Sequence, residues 1–165
     1  MKKISFTKMS GAGNDFILLD GNHIPGVTLT AESVAKLCAR GTGIGSDGLL
    51  VVKDDAKYDF NMAYFNSDGS TGTLCGNGAR CAIKYAYLSG RVKGNTTSFC
   101  SNDIVYSGEV LNSGQVKFNL GLPKDFKFNF KINAAGQQIN ASFVNTGSPH
   151  AVVKIGEMLK NEQDT

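Results

Sequence analysis

Between Gly76 and Leu88 the chain carries Ala79, Cys81, Ala82, Ile83, Tyr85, Ala86, Tyr87 and Leu88, with Arg80 and Lys84 as the exceptions. At 3.6 residues per turn these side chains leave almost no polar face, and a helix apolar nearly all round belongs inside the protein. What flanks it is β structure. The 20 glycines are many for this length and mark tight turns between short strands rather than a helical bundle. Strands are expected over Ile4 to Met9 and Phe16 to Asp20, joined by the glycine-rich turn Ser10 to Asp15. After a second glycine-rich turn, Gly41 to Gly48, come Leu49 to Lys53 and Tyr58 to Phe65. A helix over Ala31 to Ala39 is expected, capped by Thr30 and stopped by Gly41, with Val34, Leu37 and Cys38 on one face.

From Thr96 to Val153 the pattern reads as a β meander. Its strand candidates are Thr96 to Cys100, Ile104 to Val110, Gln115 to Leu120, Phe126 to Ile132, Gln138 to Val144 and Ala151 to Ile155. The order of strands, helix, strands, buried helix and many strands defines an α+β fold rather than alternating β-α. Gly121-Leu122-Pro123 breaks the meander and marks a domain junction, with one domain over residues 1–120 and the beginning of a second, incomplete one over 121–165. Gly156 to Thr165 starts like a helix with Met158 and Leu159 inward.

Composition narrows the partners. Apolar residues make up 41% and charged residues 19% of the chain, and the net charge of +3 is small and scattered, which argues against nucleic acid. No apolar run approaches the ~20 residues that span a bilayer, and Met1 to Ser10 lacks the apolar core of a secretory signal. A cytoplasmic location without membrane attachment is expected. Four cysteines, Cys38, Cys75, Cys81 and Cys100, show no metal-ligand spacing, and neither His23 nor His150 lies near one, so reduced thiols and no metal site are expected.

Cys75 has a special setting. It falls at or just before the first turn of the buried helix, where unpaired backbone N–H groups and the positive end of the helix dipole favour thiolate over thiol. Gly76 and Gly78 bring bare N–H groups that can converge on a carboxylate or phosphate. A reactive sulfur and an anion cradle thus share a few residues. Free cysteine is otherwise commonly a small buried residue, and Cys38, Cys81 and Cys100 read so.

Four motifs carry a resemblance. KMSGAGNDF (Lys8 to Phe16), GTGIGSDGL (Gly41 to Leu49), FNSDGS (Phe65 to Ser70) leading into CGNGARC (Cys75 to Cys81), and NTGSPH (Asn145 to His150) together resemble the diaminopimelate epimerase family over essentially the whole chain. The resemblance implies domains in which mixed and antiparallel sheets wrap around a central helix, with substrate bound between two such domains. It implies a cofactor-independent interconversion of L,L- and meso-diaminopimelate, used in lysine and peptidoglycan synthesis. One thiolate removes the α-proton from one face, and a thiol on the other domain returns a proton to the opposite face. An amino-acid α-proton is very weakly acidic, so without an electron-sink cofactor the carbanion needs hydrogen bonds to its α-carboxylate.

Carried over by position, Cys75 is the first-domain acid/base and His150 a histidine placed near the catalytic thiols. Gly76 and Asn77 contact the reacting carboxylate, and Asn14, Asn66 and Ser148 match substrate-binding positions. The partner implied is a small-molecule amino acid, and a homodimer is compatible. Two positions depart from the family pattern: Ser148 is often asparagine and Gly48 often glutamine, so Gly48 offers only backbone. The second catalytic cysteine belongs to a stretch beyond residue 165. Other cofactor-independent racemases or isomerases of the same superfamily, and a non-catalytic ligand-binding domain, are the competing readings. Without the motif, Asn14 and Asn66 would be turn formers, and Asp15, Asp47 and Asp68 read as Asx turns without chemistry. Arg80 is expected to brace the turn at Asn66 to Ser70.

Overall fold

The computed structural model describes residues 3–134, 136–154 and 156. The chain divides into two compact units, Met1–Leu120 and Gly121–Thr165. In the first, β1 (Thr7–Gly11), β2 (Asn14–Asp20), β3 (Gly48–Lys53), β4 (Phe60–Asn66), β5 (Thr96–Ser101), β6 (Ile104–Val110) and β7 (Val116–Asn119) form one seven-stranded sheet in chain order. Helix α1 (Ala31–Cys38) lies between β2 and β3, and α2 (Gly76–Leu88) between β4 and β5. Those two strand pairs are parallel and the other four antiparallel. Parallel neighbours need a crossover, and each helix serves as one.

Alternation assigns the faces of the sheet. Phe16 and Leu18 of β2, Leu50 and Val52 of β3, and Phe60 and Met62 of β4 join Phe99, Tyr106 and Val110 in one buried core around Ala79, Cys81, Ala82, Ile83 and Ala86 of α2. Helix α2 touches β1, β2, β3 and β4 and also β6 and β7. A flat sheet cannot reach one helix from both ends, so the sheet is curled around it. Register partners Phe60 and Phe99 stack with centroids 4.8 Å apart. The enclosure expected for this helix is present, with one correction: Tyr87 and Leu88 are exposed, because the last turn of α2 projects from the core.

The opposite face of the sheet buries Ile17, Leu19 and Leu49 against Val34 and Cys38 of α1 and against Ile24. Thr30 caps α1 as expected, and the cap is reciprocal. Its Oγ1 accepts the Ser33 N–H at 3.2 Å, while Ser33 Oγ accepts the Thr30 N–H at 3.0 Å. Thr30→Ala is therefore expected to lower unfolding free energy by about 1 kcal/mol, read as a shifted denaturant midpoint with an unchanged slope.

The first hairpin is tighter than the sequence suggests. Ser10 pairs with Asp15 and Gly11 with Asn14, leaving Ala12 and Gly13, at φ 50° and 100°, as a two-residue turn. Positive φ at both positions matches the twist of the flanking strands. Cys100 also differs from expectation: it is half-buried and lies next to Phe99 in β5, hence on the outer face. Cys81 is buried, and burial pushes its thiol up to about 11.

The second unit holds β8 (Lys124–Ala134), β9 (Gln137–Asn145) and β10 (Pro149–Val152), antiparallel in the order β10-β9-β8. The meander read after Thr96 is divided into β5 to β7 in the first unit and β8 to β10 in the second. The helix expected after Gly156, with Met158 and Leu159, lies outside the described residues.

Candidate active site

Asn14 opens β2, Gly48 opens β3 and Asn66 closes β4, and the pairings Phe16 with Gly48 and Gly48 with Asn66 bring these strand ends together. All three share the parity of Phe16, Leu50 and Met62, so they occupy the α2 side of one end of the sheet. Helix α2 starts at that end. Gly11 permits the approach, since a Cβ there would lie 2.6 Å from the Asn77 carbonyl oxygen and 3.0 Å from Cys81 Sγ.

Cys75 is the N-cap of α2, in an extended conformation, and half-buried. Its carbonyl accepts the first helical hydrogen bond, from the Ala79 N–H at 2.8 Å. Its Sγ accepts from the Gly78 N–H at 3.5 Å. Gly78 is confined, because a Cβ there would stand 3.1 Å from Leu50 Cδ2 and 3.6 Å from both Cys75 Cβ and Phe16 Cε1. The Gly78 N–H at the sulfur and the free N–H groups of the first turn make this helix start electropositive.

A polar network joins the helix start to the strands. Asn77 Nδ2 donates to Asn14 Oδ1 at 2.8 Å, and Asn14 Nδ2 donates to Asp47 Oδ2 at 3.0 Å. Arg40 donates to Asp15 at 2.6 Å and to Asp47 at 2.8 Å. Lys8 pairs with Asp15 at 2.7 Å and donates to the Gly45 carbonyl. The hydrogen bond from Arg40, reinforced by Lys8, holds the Asp15 carboxyl well below the usual range. The Asn14 amide, the Asp15 N–H and Arg40 lower Asp47. Asp15 and Asp47 are therefore not the Asx turns expected of them. Asp68 is one, accepting the Ser70 N–H at 2.9 Å.

Asn66 is held by its own turn: its Nδ2 donates to Ser70 Oγ at 3.0 Å and its N–H to the Ser70 carbonyl at 2.9 Å. Arg80 does not brace that turn as expected; its Nη1 donates to Asn77 Oδ1 at 3.0 Å. Gly76 is half-buried beside Asn77. Tyr64 is a member of this site that sequence reasoning missed. Its ring fills the space over two glycines: a Cβ at Gly48 would lie 2.7 Å from Tyr64 Cε2, and one at Gly72 would collide with the same ring. Glycine at 48, the departure noted above, is what this tyrosine requires. Burial, reinforced by the nearby Asp47 carboxylate, pushes the Tyr64 hydroxyl up to about 12.

Ser148 and His150 lie in the second unit. His150 is exposed on β10, with Nδ1 2.7 Å from the Ser148 carbonyl oxygen and 3.4 Å from Thr146 Oγ1. Among the described residues no three His, Cys, Asp or Glu side chains converge as a metal site requires, and no helix is long and apolar enough to cross a membrane.

A mixed sheet curled around one helix is a fold that solved structures of low sequence identity share. A probable proline racemase from Agrobacterium radiobacter K84, solved with bound carbonate, matches with a TM-score of 0.72 over 94% of this chain and 53% of that one, at 14% identity. Residues 6–124 match the family model of diaminopimelate epimerase, and the chain belongs to that family. It is 42% identical to the diaminopimelate epimerase of Chlorobaculum tepidum over 151 residues, covering 91% of this chain and 57% of the relative. With the enzyme of Aquifex aeolicus it shares 36% over 167 residues, 95% of this chain and 59% of the relative. The chain thus spans less than two thirds of the length of these curated relatives.

Proposed function

We propose that this chain supplies one half of a cofactor-independent two-thiol diaminopimelate epimerase of the cytoplasm, with Cys75 as the acid/base for one face of the α-carbon. The observation that carries this reading is the placement of the Cys75 thiol as the N-cap of α2, two residues before Asn77, whose amide bonds that of Asn14. Thiolate abstracts the α-proton while backbone N–H groups of Gly76 and Asn77 hold the α-carboxylate and stabilise the charge that develops there. Asn14 and Asn66 hold other polar groups of the substrate. Ser148 and His150, in residues 121–165, are the second unit's candidates for substrate binding and catalysis.

Inversion also needs a proton donor on the opposite face. Cys38 and Cys81 are buried in the two cores and Cys100 lies on the outer face of the sheet, so none of these three serves. The second thiol comes from the part of the family's length that this chain does not span. On incubation with L,L-diaminopimelate in heavy water, the chain is expected to exchange the α-hydrogen for deuterium with little inversion, detected by proton NMR and chiral separation. Labelling of proline in place of diaminopimelate would assign it to another racemase, and labelling of neither would make it a binding domain. Inversion at an ordinary enzymatic rate by these residues alone would overturn the two-thiol division.

A further inference from the structure

We infer that Asp47 and Arg80, with Arg40 behind Asp47, are positioning residues that set the direction of the Asn14 and Asn77 amides at the start of α2, the helix that Cys75 caps. This rests on the reading of Asn14 and Asn77 as groups that face a substrate carboxylate. A primary amide can turn end for end and exchange donor for acceptor, so two linked amides can run in either direction. The ends of this chain of bonds remove the choice. A carboxylate only accepts and a guanidinium only donates.

Arg80 Nη1 donates to Asn77 Oδ1 at 3.0 Å, Asn77 Nδ2 to Asn14 Oδ1 at 2.8 Å, and Asn14 Nδ2 to Asp47 Oδ2 at 3.0 Å. Every bond points the same way. Both amide oxygens are engaged within the protein, and each NH2 group has a second N–H beyond the one used. The surplus is of donors, the polarity that suits an anion beside the thiol. Asp47 is itself fixed: Oδ1 accepts from Arg40 at 2.8 Å and Oδ2 from the Asp15 N–H at 3.1 Å.

Two alkylating reagents of equal size test this. Cys75 is treated with anionic iodoacetate and with neutral iodoacetamide, and its modification in the 165-residue chain is followed by peptide mass spectrometry. The ratio of the two rates reads acceptance of an anion at the thiol and cancels thiol exposure. Asp47→Asn keeps the size of the side chain but removes the acceptor-only end, and is expected to lower the ratio about threefold to tenfold. Simple electrostatics predicts the opposite sign, since losing a negative charge favours iodoacetate. A merely structural role predicts a lower melting temperature at constant ratio. A ratio that stays constant or rises overturns the proposal. Should Asp47→Asn not fold, Arg80→Gln, whose amide can accept as well as donate, is expected to lower the same ratio at high salt, where the lost charge is screened. The measurement needs no turnover, so a chain that labels no diaminopimelate and still shows the fall loses its proposed function and keeps the relay.

Discussion

Replacing Cys75 with serine is expected to remove deuterium labelling of diaminopimelate by about a thousandfold or more while leaving stability within about 1 kcal/mol of the parent. The two effects separate because Cys75 has two roles. As N-cap it accepts the Gly78 N–H through sulfur at 3.5 Å, a weak hydrogen bond that a serine oxygen replaces readily. As a base it must ionise, and a serine hydroxyl held by the same donors is far too weak an acid to supply an anion near neutrality. Cys75→Ala should lose labelling equally and cost about 1 kcal/mol through the lost cap. Labelling by the serine variant at a tenth of the parent rate would mean that another group takes the proton.

What was legible in the sequence follows the range of the interactions involved. Helix α2 and its N-cap depend on residues within one or two turns, and the Gly76 to Leu88 boundaries follow from the string itself. The alternation of β4 could be read, whereas β2 and β3 carry continuous apolar runs, buried on both faces, that do not say which side faces which helix. Strand order could not be read either, because the parallel pairing of β2 with β3 and of β4 with β5 depends on where the crossovers carry the chain. The polar network was hidden for the same reason. Asn14 and Asp47 are 33 residues apart and Asn14 and Asn77 are 63 apart, and no local spacing predicts which partner an asparagine will find. Arg91 is a further case: at the far end of α2 it pairs with Asp20 at 3.1 Å and Asp54 at 2.8 Å, while Tyr85 donates to Asp20 at 3.0 Å. Tyr64 was missed because its role lies in the absence of side chains at Gly48 and Gly72, and a glycine in a turn-rich sequence does not announce what it makes room for.

Gly69→Ala is expected to lower unfolding free energy by about 2–5 kcal/mol, far more than an alanine at another left-handed glycine. Gly69 has φ 84° and is buried. Its added Cβ would run into the Ala31 carbonyl and come within 2.6 Å of Ala31 Cα, at the first turn of α1. The left-handed conformation alone costs an L residue about 1–2 kcal/mol, and overpacking against backbone adds about 1–3 kcal/mol. Gly90 separates the two contributions. It has φ 73°, and among the described residues other than its chain neighbours no heavy atom lies within 4 Å of where a Cβ would stand, so Gly90→Ala should show only the conformational cost. Equal losses at the two positions would show that α1 yields without penalty. The damage at Gly69 should also reach the site. Its N–H donates to the Asn66 carbonyl at 2.9 Å, in the turn that orients the Asn66 amide, so the variant is expected to bind diaminopimelate more weakly. Alkylation of Cys75 by iodoacetamide, governed by the other strand end and by α2, should continue at the parent rate.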